Sequence, residues 1–447
     1  MTVRIGCASG WSRDQFKPGI DLLERGQLDY LFFDSMSELT MSAAQVALTE
    51  RPELPGYDPY LLKRLGPMLS TSLANRTRLI ANMGWLDPIG AAETLVSEAR
   101  RQGLSGFTIA AVTGGDVLGR LDELDIVSNE TGEHLAKQGS VVSAEVYLGA
   151  TEIAAALRNG AHVVLTPRVT DASLALGPLI AEFDWAPDAW DSLGWGVAIG
   201  HLTECGGQVT GGFFADPGYK EVPNLADLGY PIAEVDEDFA IITKLEGSGG
   251  IVSTETCKEQ MLYEVNDPFN YINPDVICNL GGLRFENVGV NRVRVSGGSG
   301  KPAPATLKVL IGVHEGYMAE EMMAFAGPGA LARAELAKEI LESRLQRANL
   351  QADQIRFDYV GINAVHREAT PGPPPELYEY ILRIAVRASS REEASKLQLE
   401  VDPMAVSGPA ATGKWGSIGG RIRPVIGLHS AYVGRSAITT GLTYFHV

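Results

Sequence analysis

The chain has 447 residues, 45% of them hydrophobic and 21% charged, the balance of an ordinary globular protein rather than a disordered or membrane chain. A chain of this length buries about 75% of its unfolded surface without staples and suggests two or three domains. Its 37 Lys and Arg against 55 Asp and Glu give a net charge of −18, so its long-range field repels nucleic acid and anionic membranes, and neither is expected as a partner.

The amino terminus, MTVRIGCASGW, has one basic residue and no apolar core of an export signal, and no later stretch reaches about 18 apolar residues, so a cytoplasmic location is expected. Val3–Cys7 reads as a strand, Gly19–Arg25 as a helix and Leu28–Asp34 (LDYLFFD) as a buried strand ending in an acid. A helix over Ser42–Thr49 follows. Asp58 caps a helical run that continues from Pro59 towards Leu73, and Arg78–Asn82 is strand-like. Asp87-Pro88 then opens a helix to Gln102, and Gly106–Val112 is another strand. Val141–Leu157 carries apolar residues at helical spacing and should stop at Gly160, where a C-terminal glycine belongs. His162–Thr166 (HVVLT) is a buried strand and Thr170–Phe183 a helix.

This β-α alternation predicts an α/β fold with a mostly parallel sheet covered on both faces by helices, and a site at the carboxyl ends of its strands. From about residue 210 the pattern turns to short strands and glycine-rich turns. Val290–Val295 alternates with period two and is expected to pair with Leu307–Val313 across SGGSGKPAP, Ala330–Arg347 reads as a long amphipathic helix, and Tyr380–Ala388 with Arg391–Leu397 as a strand and helix. The expected division is therefore an α/β domain over 1–230 carrying the site and an α+β domain over 231–447. Glu368–Glu376, with its PGPPP run, is the only segment that reads as flexible.

Fifty glycines, many in pairs such as Gly114-Gly115, Gly206-Gly207, Gly211-Gly212 and Gly419-Gly420, mark tight turns or close backbone approaches. The cysteines, Cys7, Cys205, Cys257 and Cys278, form no CxxC or CxxH pair, which argues against a zinc cage or a disulfide framework and suits a reducing compartment.

The segment from Gly200 to Gly212 is the least ordinary. If it begins as a helix, His201, Glu204 and Cys205 fall at i, i+3 and i+4, placing imidazole, carboxylate and thiol on one face beside paired glycines. A helix end packed through Leu202 and Cys205 is the plain structural alternative. Thr166-Pro167-Arg168-Val169-Thr170-Asp171 follows a buried strand and opens a helix, so Arg168 and the nearby backbone amides suit an anion, while Asp171 and Thr170 also serve as ordinary helix-start residues. Asn82, Asp116 and the glycines Gly206, Gly207 and Gly211 are further candidates for holding substrate. Asp34 is a candidate metal ligand, in a set with Asp116, Asp171, His201 and Glu204 that could hold a divalent ion but whose spacing does not force it together. No GxGxxG, P-loop or GxSxG pattern occurs, so no organic cofactor is recognised and a serine hydrolase has no fingerprint.

Several long segments in order, GCASGWSRDQ, LERGQLDYLFFDSMSELT, ANMGWLDPIGAA, VYLGATEIAAALRNGAHVVLTPRVTDASLALGPLI, GHLTECGGQVTGGFFADPG and KEQMLYEVNDPFNYINPDV, resemble the acyclic terpene utilisation (AtuA-like) proteins, from about residue 3 to 380. The resemblance implies a role in bacterial catabolism of branched acids and isoprenoid-derived thioesters. It also implies a small ferredoxin-like domain, which longer members carry at their end and which this chain, read as the short form, would meet as a separate partner subunit. One departure stands out: where relatives have an Ala-Glu-Arg-Thr-like run, this chain has Ser37-Glu38-Leu39-Thr40, with leucine in place of arginine, which could change the substrate or its charge. The Arg168/Asp171 and His201/Glu204/Cys205 motifs match the family pattern.

Together these features favour a catabolic lyase of the hydratase or dehydratase type acting on a small anionic substrate, a carboxylate or acyl thioester. Arg168 would hold the anion, His201 and Glu204 would exchange the proton, and the glycine amides would meet the developing enolate. The alternatives are a non-catalytic binding or assembly subunit of a catabolic complex, and an acyl transferase or hydrolase dependent on Cys205. A homo-oligomer is expected.

Overall fold

Val3–Ser9 (β1), Tyr30–Phe33 (β2), Arg78–Ala81 (β3), Thr108–Thr113 (β4) and, after the separate strand Val141–Val146 (β5), Val163–Leu165 (β6) are short apolar strands. All are buried along most of their length, and those of the main sheet are covered on both faces. All but β5 join that sheet. They line up in parallel in the order β1-β2-β3-β6-β4. The covering helices are Lys17–Arg25 (α1), Glu38–Glu50 (α2), Leu61–Leu65 (α3), Leu69–Asn75 (α4), Pro88–Arg101 (α5), Thr151–Arg158 (α6), Ser173–Phe183 (α7) and Trp190–Thr203 (α8). Asp87 caps α5 through Gly90 N at 2.8 Å. The run expected from Asp58 to Leu73 is broken by a 3-10 turn over Gly66–Met68, where Pro67 has no amide to continue the ladder.

The sheet does not end at residue 230. Pro231–Val235 (β7) pairs antiparallel with β1, and Phe239–Lys244 (β8) pairs with β7. After helix Thr254–Leu262 (α9) comes a small antiparallel group of Tyr271–Ile272 (β9), Ile277–Asn279 (β10) and, later in the chain, Ser299–Lys301. Arg284–Gly289 (β11) and Arg292–Ser296 (β12) then extend the main sheet beyond β8, and Ser299–Lys301 is β13. The pairing expected between Val290–Val295 and Leu307–Val313 does not form: β12 takes β11 and β8 as neighbours, and β13 occupies the intervening turn. Leu307–Val313 instead begins the long strand Thr306–Ala326 (β14).

The single helix expected over Val141–Leu157 is also corrected. Its first part is β5, whose valines favour extended backbone and whose partner strand, β14, lies far away in sequence; only Thr151–Arg158 is helical.

The structure describes residues 1–135, 140–372, 377–416 and 421–447 and is a computed structural model. Its compact units are Met1–Ile311 with Leu428–Val447, and Gly312–Gly427. The change of pattern near 230 thus marks a switch from parallel to antiparallel pairing inside one unit. Residues 373–376 of the PGPPP segment and the Gly419-Gly420 pair lie outside the described residues. In the second unit Gln354–Val360 (β15) and Glu379–Ala388 (β16) pair antiparallel with each other, and β16 with β14. Helix Ala330–Arg347 (α10) has the bounds expected from its periodicity, and its Ala334, Ala337 and Leu341 share a core with Leu382, Ile384 and, from helix Arg391–Val401 (α11), Leu397. Helix Met404–Ser407 (α12), strands Gly413–Lys414 (β17) and Arg421–Gly434 (β18), and Gly441–His446 (β19), which pairs antiparallel with β4, complete the chain. Among the described residues no helix is long and apolar enough to cross a membrane.

His162, just before β6, packs edge-on to Phe107 and lies 3.1 Å from Ser72 Oγ through Nε2. Burial, with Arg78 nearby, pushes its imidazole down to about 4. The folded value is below the unfolded one, so the unfolded chain takes up the proton first as pH falls, and stability is lost from about pH 6.5 towards pH 4. Denaturant unfolding of the wild type against His162→Gln should show no pH dependence of the difference above pH 7 and a relative loss for the wild type, on the order of 2 kcal/mol, by pH 4.5; a constant difference would contradict it.

Candidate functional site

Charged side chains gather where the parallel strands end. At the end of β2, Asp34 is buried and accepts a hydrogen bond from Asn82 Nδ2, at the end of β3, at 2.6 Å. Asn82 Oδ1 accepts from the amides of Ser35 at 2.6 Å and Met36 at 3.2 Å. Asn82 therefore clamps the turn that leads into α2. Burial, then the nearby Asp171 carboxylate, raise Asp34 well above the usual carboxylate range, although Arg168 and Asn82 work against them.

After β6 the chain forms a short extended stretch beside β5: Leu148 N donates to Arg168 O at 3.1 Å and Thr170 N to Leu148 O at 3.0 Å. On the other side Tyr147 N donates to Lys308 O at 2.9 Å. This ladder lines up Lys308, Tyr147 and Arg168 on adjacent segments. The Arg168 guanidinium carbon sits 4.4 Å and Lys308 Nζ 4.8 Å from the centre of the Tyr147 ring, both within cation–π range.

Arg168 is only 2% exposed. Its Nη1 donates to Met36 O at 2.6 Å and to the Asp171 carboxylate. Burial opposes the cation, but Asp171, Tyr147 and Glu38 outweigh it. The Tyr147 hydroxyl in turn donates to Glu38, and Lys308 Nζ is 3.9 Å from the same carboxylate. Burial would raise Glu38, yet Arg168 and Tyr147 hold it below its ordinary value.

The His201 segment approaches from α8. A Cβ at Gly200 would lie 2.5 Å from Ala172 O, and one at Gly10 would lie 2.6 Å from the Cys205 carbonyl carbon. Only glycine allows α8 to press this closely on the start of α7 and on the loop after β1. His201 Nδ1 lies 2.8 Å from Glu204 Oε1, and both residues are buried, so the helical spacing does bring imidazole and carboxylate together. Burial disfavours the imidazolium, but the Glu204 carboxylate more than compensates and raises His201; burial raises Glu204 despite His201. Both hold protons more tightly than in water. His201 Nε2 and Glu204 Oε2 are buried without a hydrogen-bond partner.

A cavity of about 380 Å³ opens beside these groups, lined among others by Glu38, Tyr147, Arg168, Asp171, Tyr271, Asn273 and Lys308. His201 itself does not line it. Tyr271 does, with its hydroxyl 3.4 Å from His201 Nδ1 and its ring centre 5.1 Å from the imidazole. Burial and Glu204 keep this phenol far above its usual range, hence protonated.

Of the residues singled out from sequence, then, Arg168 and Asp171 line the cavity, and His201 with Glu204 stands one residue behind it. Asn82 and Asp34 form a buried pair that does not line the cavity. Asp116 bonds back to Leu118 N at 2.9 Å and bridges to Glu145, away from the lining. Gly206 and Gly207 pack on Tyr230 and Leu228, and Gly211 on Val222, so their amides are not part of the cavity. Cys205 is half-buried, its thiol pushed up by burial and by Glu204. Among the described residues no group of three or more His, Cys, Asp or Glu side chains is arranged to hold a metal, and Asp34 is already engaged by Asn82.

Sequence reasoning missed Tyr147, Tyr271, Lys308 and the part played by Glu38. Leu39, the residue after Glu38, is 76% exposed.

This arrangement defines an α/β protein with a charged cavity beyond the carboxyl ends of its parallel strands, the place where such sheets take ligands. The family model for acyclic terpene utilisation family protein AtuA matches residues 3–444, and the chain belongs to that family. No curated protein and no solved structure matches it.

Arg168→Met would leave Asp171 and Glu38 without their shared cation. Breaking one side of a buried pair costs about 3–5 kcal/mol, so denaturant unfolding of the variant should show a loss of about 3 kcal/mol, with Arg168→Lys recovering part of it. An unchanged midpoint for Arg168→Met would contradict this account.

Proposed function

We propose that the protein is a lyase that adds or removes water next to the carboxylate or acyl group of a small catabolic acid. The observation that carries this reading is the position of Tyr271, which touches both the cavity and the buried His201–Glu204 pair. In the dehydration direction the Tyr271 phenol would give its proton to the departing hydroxyl, the lining carboxylate Glu264 would take the proton from the adjacent carbon, and the His201–Glu204 pair would restore the proton on Tyr271; hydration runs the same transfers in reverse. Arg168 would face the acid group and favour charge building on it in the enolate-like transition state. The donors available for this are in the cavity wall, at Arg168, Asn273 and Thr170, rather than at the paired glycines.

The reading as a non-catalytic ligand-binding subunit uses the same cavity and differs only in turnover. Acyl transfer through Cys205 has less support, because a thiol pushed up by burial offers little thiolate at neutral pH.

The test is a screen of 2- and 3-hydroxy acids, the corresponding unsaturated acids and their thioesters, followed by enoate absorbance, with and without a small ferredoxin-like partner. On any substrate found, His201→Gln and Tyr271→Phe should each lower kcat by about 10²-fold or more. Turnover unchanged in both variants would overturn the proton route.

A further inference from the structure

We infer that the cavity takes a small dicarboxylate, most naturally a hydroxy-diacid, with one carboxylate on Arg168 and the other on Lys308; this rests on the reading of the cavity as an acid-binding site and narrows its substrate class. The first observation is the backbone ladder. Tyr147 N donates to Lys308 O and Leu148 N to Arg168 O, so the backbones of Lys308 and Arg168 flank the Tyr147-Leu148 step, and both cations contact the Tyr147 ring, at 4.4 and 4.8 Å from its centre. Both charges thus stand over one ring, no farther apart than the sum of those two distances.

The two cations differ in depth. The Arg168 side chain is 3% exposed and that of Lys308 41%, which places one at the floor of the cavity and the other at its mouth. A ligand with an acid group at one end would meet Arg168 alone, whereas one with acid groups at both ends meets both.

The second observation is unspent donor capacity at the floor. Arg168 Nε and Asn273 Nδ2 are buried, belong to lining residues, and have no hydrogen-bond partner. Buried donors without acceptors are costly, and a carboxylate supplies acceptors in a planar pair that a guanidinium matches well. At the mouth, Lys308 has one loose ion pair, 3.9 Å from Glu38, whose carboxylate already accepts from Tyr147. The lining carboxylates do not cancel this reading. Asp171 is bonded to Arg168, Glu38 is committed to Tyr147, and exposed Glu264 is placed to accept from a ligand hydroxyl.

The test is calorimetry on the full chain, which needs no turnover. Malate and succinate are compared with 3-hydroxybutyrate, butyrate and coenzyme A, on the wild type, Lys308→Met and Lys308→Gln. The diacids should bind about tenfold more tightly than the monoacids, an advantage of one partly exposed charged contact. Both variants should erase that advantage while leaving monoacid affinity in place, with folding checked by circular dichroism. Monoacids binding as well as diacids would overturn the dicarboxylate assignment while leaving an acid site intact. Tighter binding of coenzyme A than of any diacid would overturn it in favour of a thioester. Binding of none of these acids would overturn both the assignment and the acid-site reading beneath it.

Discussion

A guanidinium taken out of water is tolerated only where other groups replace the solvent it has lost. Arg168 meets that condition by drawing in pieces of chain that are remote in sequence: the carbonyl of Met36 before α2, the ring of Tyr147 after β5 and the carboxylate of Asp171 before α7. The cavity is bounded by these same pieces. Tyr147 and Lys308 stand where they do because the ladder beside Arg168 puts them there, and Glu38 joins them through its carboxylate from the start of α2.

A second buried charge system, His201 with Glu204, is brought against this one by glycine. At Gly200 and Gly10 the neighbouring backbones are too close for any side chain, and the resulting contact carries the end of α8 to the strand ends. Asp171 contributes electrostatically to Asp34, His201 and Glu204 alike. These groups therefore form one electrostatic cluster at the strand ends.

How much of this the sequence reveals depends on the range of the interaction. The parallel strands announce themselves as short apolar runs between helices, and the pairing of His201 with Glu204 follows from helical spacing alone. Arg168 and Asp171 are legible for the same local reason, since they sit between a buried strand and a helix start. Tyr271 and Lys308 are not, because nothing near them in sequence says that a short strand after α9 and the beginning of β14 will face Arg168. The misreading of Val141–Val146 as helix has the same origin: its partner is β14, well over a hundred positions later, and only that partner makes Tyr147 a neighbour of Lys308. The glycines mislead in the opposite sense. Gly206, Gly207 and Gly211 lie beside reactive residue types in sequence, yet they serve the packing of Tyr230, Leu228 and Val222, while the glycine that matters most for the site, Gly200, is unpaired.

The claim on which the account turns is that a ligand in the cavity is sensed by the buried imidazole through Tyr271. Nitrogen-15 NMR of the histidines, with His201 assigned by loss of its signals in His201→Gln, tests it directly during titration with malate. The account predicts that the His201 ring signals move as the cavity fills, that those of His162 stay still, and that Tyr271→Phe removes the movement. Saturable malate binding that leaves His201 unmoved would contradict it.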